Sequence, residues 1–277
     1  LFNGQGEPQR DHYRAVKFPG RLHSLIDKLG VKYIYADATG PMARYLVRNY
    51  RHWLWVDDAI LIFDDLESHE DGVFDWLLHY EGTAAQEGSR VALTNGSARA
   101  RIQFLEPADL EARELQGLAE HDPDRKIPYL AFRTRQPARV QKFITAILPY
   151  PADASQGAAT VQSAPAGENS LGVRIERGSM VTDVYLNLQA DGRRMHQNSN
   201  TAIAGWETDA YLLGWTRPRE RVDDPQAVSR FFVSCASYLR REGRIYLDSL
   251  SKVEAVWQPG KPATAQVIGQ PVRAVHL

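Results

Sequence analysis

The chain has 277 residues, 43% of them hydrophobic and 24% charged, the balance of a folded protein with room for one or two cores. Its formal net charge of −1 excludes a broadly basic surface of the kind that holds nucleic acid, and leaves room for a local patch that binds a polyanion. No run approaches the ~18 apolar residues of a membrane-crossing helix. The single Cys235 excludes an internal disulfide, and within Phe231-Phe232-Val233-Ser234-Cys235 it reads as a buried thiol.

Taken in chain order, Leu1-Phe2-Asn3-Gly4-Gln5-Gly6 has the pattern of a strand entering a turn, so the sequence is expected to continue upstream. Residues 23–29 have the composition of a short helix. Residues 31–36, 45–56, 59–63 and 73–79 are rich in β-branched and aromatic side chains that alternate with polar ones, the signature of strands. Gly40-Pro41, Asp57-Asp58 and the polar run Ser68-His69-Glu70-Asp71-Gly72 punctuate them as turns, and Asp57-Asp58 predicts a tight hairpin. Further strands are predicted at 90–94, 100–105, 129–134 and 140–148. Asn95-Gly96-Ser97 fits a glycosylation sequon but fits a hairpin turn better. Residues 109–120 have helical composition with Asp109 as a cap, against Gly117. Residues 151–170, rich in Ala, Ser, Gly and Pro, read as an exposed loop or linker. Beyond them strands are predicted at 171–177, 181–188, 210–216, 231–237, 244–247, 252–257 and 264–268. The expected fold is all-β: a large antiparallel sandwich over 1–150, the loop, and a smaller C-terminal β-sheet over 171–277, with at most two short helices.

Few residues point to chemistry on their own. Asp37, closing Ala36-Asp37-Ala38-Thr39, and His79, closing Phe74-Asp75-Trp76-Leu77-Leu78-His79, are a carboxylate and an imidazole suited to a divalent metal. Read without further context, they are a turn-starting aspartate and a hydrogen-bonded strand histidine in preference to a metal pair. A second cluster, Arg193-Arg194-Met195-His196-Gln197-Asn198-Ser199-Asn200 followed by Trp206 and Glu207, suits an acidic sugar, or is a polar loop anchored by a buried Trp206. Asp64-Asp65 lacks the flanking oxygen ligands of a calcium loop. His12, His23, His69, His121 and His276 lie in polar stretches and read as solvated.

The order of phrases resembles the β-domain of heparinase II/III-like polysaccharide lyases. Leu1 to Gly6 resembles the strand and turn that follow a His-Asn-Thr segment in that family. Ala36-Asp37-Ala38-Thr39 resembles its acidic strand end. Arg48-Asn49-Tyr50-Arg51-His52 and Ile60-Leu61-Ile62-Phe63-Asp64-Asp65-Leu66 resemble its arginine-bearing strand and the hairpin partner. Phe74 to His79 resembles the strand that ends in a metal-ligating histidine. The likeness is strongest over residues 1–82 and stays collinear to about 257.

The resemblance implies a structural zinc held by Asp37, His79 and a histidine just upstream of Leu1. It implies β-elimination on a uronic-acid polysaccharide, such as heparin, heparan sulfate or alginate, outside the cell or in the periplasm. Most catalytic groups would belong to an upstream helical toroid domain, so no catalytic base or acid is assigned and this stretch alone is expected to be inactive. Tyr45, Arg48, Tyr50 and His52 are candidates to face the cleft, or are cross-strand pairs on a solvated face. The alternatives are a carbohydrate-binding sandwich without chemistry and a structural or interaction module.

Overall fold

The computed structural model describes residues 1–6, 18–119, 122–154, 158–190 and 201–268. The described residues are mostly antiparallel strand, as the period of two predicts, and they form an all-β sandwich fold. They divide into two compact units. One is Leu1–His23, Ile34–Leu54 and Ala59–Gly157; the other is Ser24–Tyr33, Trp55–Asp58 and Ala158–Leu277.

The first eleven strands are β1 (Arg21–Lys28), β2 (Val31–Asp37), β3 (Leu46–Val56), β4 (Ala59–Gly72), β5 (Asp75–His79), β6 (Thr83–Glu87), β7 (Arg90–Asn95), β8 (Ala98–Glu106), β9 (Leu110–Ala119), β10 (Asp122–Thr134) and β11 (Ala138–Pro151). An eight-stranded sheet runs β1-β2-β3-β4-β11-β8-β7-β6, and a three-stranded sheet runs β5-β10-β9. Within the first unit, Ile62, Val91, Ile102, Phe104 and Phe143 of the large sheet share one buried cluster with Trp76, Leu110, Leu130 and Phe132 of the small one. Alternate residues of each strand face that core, which is why the sequence alternates. Asp57 and Asp58 both take positive φ, 49° and 62°, the left-handed turn that matches strand twist, so the predicted hairpin is present. Gly96, at φ 57°, turns β7 into β8.

Four local expectations give way to pairing. Residues 23–28 belong to strand β1, and Leu29 opens the turn after it, so the segment is not helix. A helix of one or two turns cannot repay its own nucleation, whereas the Leu29-Gly30 turn, with φ of 53° and 72°, hairpins β1 onto β2. Within the stretch 109–120, Leu110–Ala119 are strand β9, which pairs along β10 from Leu110 opposite Thr134 to Gly117 opposite Ile127. Leu110 and Ala112 reach the core, and that burial overrides a helix propensity worth a few tenths of a kcal/mol per residue. The polar run from Ser68 to Gly72 is the continuation of β4, which holds Gly72 opposite Ala138 of β11. Residues 151–170 contain a strand, β12 (Ala159–Ala164), paired to β13 (Ser170–Arg177). Backbone pairing does not need large side chains, so Ala159, Val161 and Ala164 suffice to hold that strand at the sheet edge.

The second unit continues with β14 (Met180–Asn187), β15 (Thr201–Ile203), β16 (Trp206–Thr208), β17 (Leu212–Pro218), β18 (Arg230–Arg241), β19 (Arg244–Gln258) and β20 (Lys261–Ile268). Strand β18 changes partner along its length. Arg230 to Ser234 pair with β17, whereas Leu239 and Arg240 pair with β16. Register shifts separate the two stretches, and Cys235 sits there at φ 54°, buried as predicted. The buried Asp209 accepts the Ser237 and Tyr238 N–H groups at 2.7 and 3.3 Å and the Ser237 hydroxyl at 2.7 Å, so these bent-strand groups have partners. Trp206, Trp215, Phe231 and Trp257 form the centre of this unit's core. In the same unit, the Arg230 guanidinium grips both Asp57 oxygens at 3.0 Å and donates to the Leu29 carbonyl at 2.8 Å.

Candidate functional site

The two-residue turn at Asp57-Asp58 sets the register of β3 on β4. Counting back from Val56 beside Ala59 brings Arg51 opposite Asp64 and Arg48 opposite Glu67. Arg51 Nε and Nη2 donate to the two Asp64 oxygens at 2.6 and 2.9 Å, and Trp76 Nε1 donates to Asp64 Oδ2 at 3.0 Å. The Asp64 side chain is 4% exposed and that of Arg51 is 45% exposed, so a buried anion holds a half-open cation. The guanidinium carbon lies 5.8 Å from the Trp76 ring centroid. Burial would lower the guanidinium pKa; the charge and hydrogen bonds of Asp64 outweigh it, and the value is raised.

Around this arginine is a pocket of about 270 Å³ whose walls include Asn49, Asp64, Asp75, Trp76 and Leu77. Asp75 is held by Arg133 through bonds of 2.7 and 3.0 Å. Asn49 ties the Asp37 turn to the pocket wall: its N–H donates to Thr39 Oγ1 at 2.9 Å and its Nδ2 to the Ala38 carbonyl at 3.3 Å. The Thr39 N–H in turn donates to Asp37 Oδ1 at 2.8 Å.

Asp37 ends β2 on the large sheet and His79 ends β5 on the small one. Asp37 Oδ2 lies 3.9 Å from His23 Nε2, and His23 stacks on Tyr35 at 4.9 Å. His79 faces Tyr129 of β10 and stacks on it at 5.0 Å. Among the described residues no group of three or more His, Cys, Asp or Glu stands together as a metal cage. Asp37 and His79 alone therefore do not make one.

No family model matches the sequence, and no curated protein matches it. Solved structures of similar fold include heparinase III and heparan sulfate lyase proteins. A heparan sulfate lyase HepC from Pedobacter heparinus is 16% identical with a TM-score of 0.48, the match covering 64% of this chain and 29% of that one. A heparinase III is 14% identical with a TM-score of 0.48, over 61% of this chain and 27% of the other. The chain thus spans less than a third of the length of the solved proteins it matches.

The cleft candidates fare differently. His52 is fully buried, stacked 4.6 Å from Tyr35 with the rings 5° from parallel. Burial, with Lys142 adding and Asp65 opposing, pushes its pKa down to about 3, so it is a neutral core imidazole. Arg48 pairs with Asp65 at 2.9 Å and Glu67 at 3.3 Å, and Lys142 also binds Asp65. Tyr50 meets the edge of Tyr35, and Tyr45 lies under Arg44. Asp64 and Asp65 are thus bound to cations of the chain itself. His69, read as solvated, is exposed but has its Nε2 3.0 Å from the Ala43 carbonyl.

The run from Arg193 to Asn200 lies outside the described residues, as do His12, His121 and His276. Trp206 is fully buried, so its ring has no open face for a sugar. Sequence reasoning passed over Arg51 and His23. The hairpin count from Asp57-Asp58 was sufficient to pair Arg51 with Asp64. His23 was hidden by the helical reading of its segment.

Proposed function

We propose that this chain is the β-domain part of a polysaccharide lyase that cleaves uronic-acid polymers by β-elimination, and that the Arg51 pocket receives an acidic group of the polymer. The observation that carries the reading is the guanidinium of Arg51. Asp64 occupies its Nε and Nη2 edge, which fixes its plane and leaves Nη1 outside that ion pair, on a half-exposed side chain that lines the pocket. A planar donor held in advance binds a carboxylate with little loss of side-chain freedom. The ordered phrases from Leu1 to His79 support the same reading. The base and acid of the elimination belong, in this view, to a helical domain of the same protein, and a polymeric substrate sets the work outside the cell or in the periplasm. Among the described residues no helix is long and apolar enough to cross a membrane.

The test is turnover by the full-length protein, followed as the absorbance of the unsaturated uronate on heparin, heparan sulfate and alginate. One polymer is expected to give product. Arg51→Lys, which keeps the charge and loses the fork, is expected to cut turnover about 10²-fold. No new absorbance with any uronate polymer overturns the reading. In the same proposal Asp37 and His79 share a structural zinc with a ligand from outside these residues. Full-length protein would then hold about one zinc per chain, and His79→Ala would lose it. Equal zinc in both proteins removes His79 from such a site.

A further inference from the structure

Strand β19 is fifteen residues long, and Tyr246 near its start is eleven positions from Trp257 near its end. Straight, that stretch would span roughly 36 Å. Yet Tyr246 and Trp257 both rest on Phe231, with ring centroids 5.4 and 5.1 Å away. Trp257 does so as the in-register partner of Phe231. Tyr246 reaches it because the β18–β19 ribbon folds back on itself at its three register shifts. Inside the fold lies a cavity of about 440 Å³, lined by Pro225, Gln226, Arg244, Tyr246, Trp257 and Pro259 among others.

The walls are held in place. Trp206 meets Tyr246 edge-on at 5.0 Å. Asp224 Oδ1 accepts the Gln226 N–H at 2.8 Å, and its Oδ2 binds Arg221, which sets the Pro225–Ala227 turn. The polar groups on those walls are different. Among the described residues the Arg244 guanidinium has no ion pair, and neither the Gln226 amide nor the Tyr246 hydroxyl has a side-chain hydrogen bond. Three groups with unused hydrogen-bonding capacity therefore converge on a cavity with an aromatic floor. Its volume is that of a small-ligand site.

We propose that this cavity is a second saccharide subsite, which takes a sugar unit bearing an acidic substituent. The ring lies against Tyr246 and the prolines. Arg244 pairs with the acid, and Gln226 and the Tyr246 hydroxyl bind the ring hydroxyls. The choice of an acidic sugar rests on the lyase reading; the convergence of donors does not.

Native gels of the full-length protein cast with heparin, alginate or neutral dextran test it. Retardation by one acidic polymer and not by dextran is expected. Arg244→Ala is expected to weaken it roughly tenfold, and Gln226→Ala and Tyr246→Phe less. Unchanged retardation in Arg244→Ala, or equal retardation by dextran, overturns the subsite. Uronate turnover is read separately. A protein that turns over polymer while Arg244→Ala binds as before loses the subsite and keeps the lyase reading. A protein without turnover whose retardation depends on Arg244 does the reverse.

Discussion

Arg51 and Arg244 each stand at the mouth of a cavity, but they are prepared in opposite ways. Arg51 is locked by two bonds to a carboxylate that is itself almost fully buried. Arg244 is exposed and has no ion pair among the described residues. The first arrangement gives direction and costs net charge, because Asp64 cancels much of the field. The second keeps its whole charge and pays in side-chain freedom when a ligand orders it. A locked, half-neutralised guanidinium suits positioning one group of a reacting sugar; a free one suits holding a charged chain. Binding through Arg244 should accordingly fall with added salt more steeply than any contribution of Arg51.

The strongest way to probe the first region is pH. His52 is neutral when folded, with its pKa lowered to about 3, and the unfolded chain takes up that proton near 6.5. The stabilisation is complete above the unfolded value and is lost as pH falls from about 6.5 toward 3. Over the whole window this amounts to as much as about 5 kcal/mol. Urea midpoints measured across that range should drop less in His52→Phe than in the parent; parallel curves would mean that His52 is already protonated in the fold.

Removing the anchor of Arg51 comes next. Asp64→Ala leaves the Trp76 N–H and one edge of a half-exposed guanidinium without their acceptor and is expected to cost ~2–3 kcal/mol by chemical denaturation. Asp64→Asn, which keeps an acceptor, should cost less. In the second region Asp209→Ala leaves the bent-strand N–H groups of Ser237 and Tyr238 without their acceptor, for a loss of ~2 kcal/mol. A loss near zero would show that the β18–β19 bend does not depend on that carboxylate. Arg244→Ala should sit at the bottom of the scale, within ~0.5 kcal/mol of the parent. A large loss there would make Arg244 structural and erase the contrast with Arg51.

Much of this was legible before any coordinates. Strand period, the Asp57-Asp58 hairpin and the buried Cys235 follow from side-chain alternation and turn chemistry, which act over a few residues. The hairpin even carries the Arg51–Asp64 pairing, since a two-residue turn leaves one register. The failures are as local as the successes. Residues 23–29 and 109–120 look helical taken alone, yet 23–28 and 110–119 are strand because β2 and β10 offer them ladders and a core. Asp37 accepts the Thr39 N–H and lies 3.9 Å from His23 Nε2, a neighbour hidden by the helical reading of residues 23–29.

What the amino-acid order settled by itself is an all-β chain, where most of its strands turn, and which residues of the β3–β4 hairpin face each other. Only the tertiary structure decided that Trp206 is sealed in a core, that His52 is neutral, and that Tyr246 and Trp257 meet over Phe231. Alternation and turns are decided by neighbours a few positions away. Burial, and the bending of a ribbon at its bulges, depend on partners far along the chain that no short window contains.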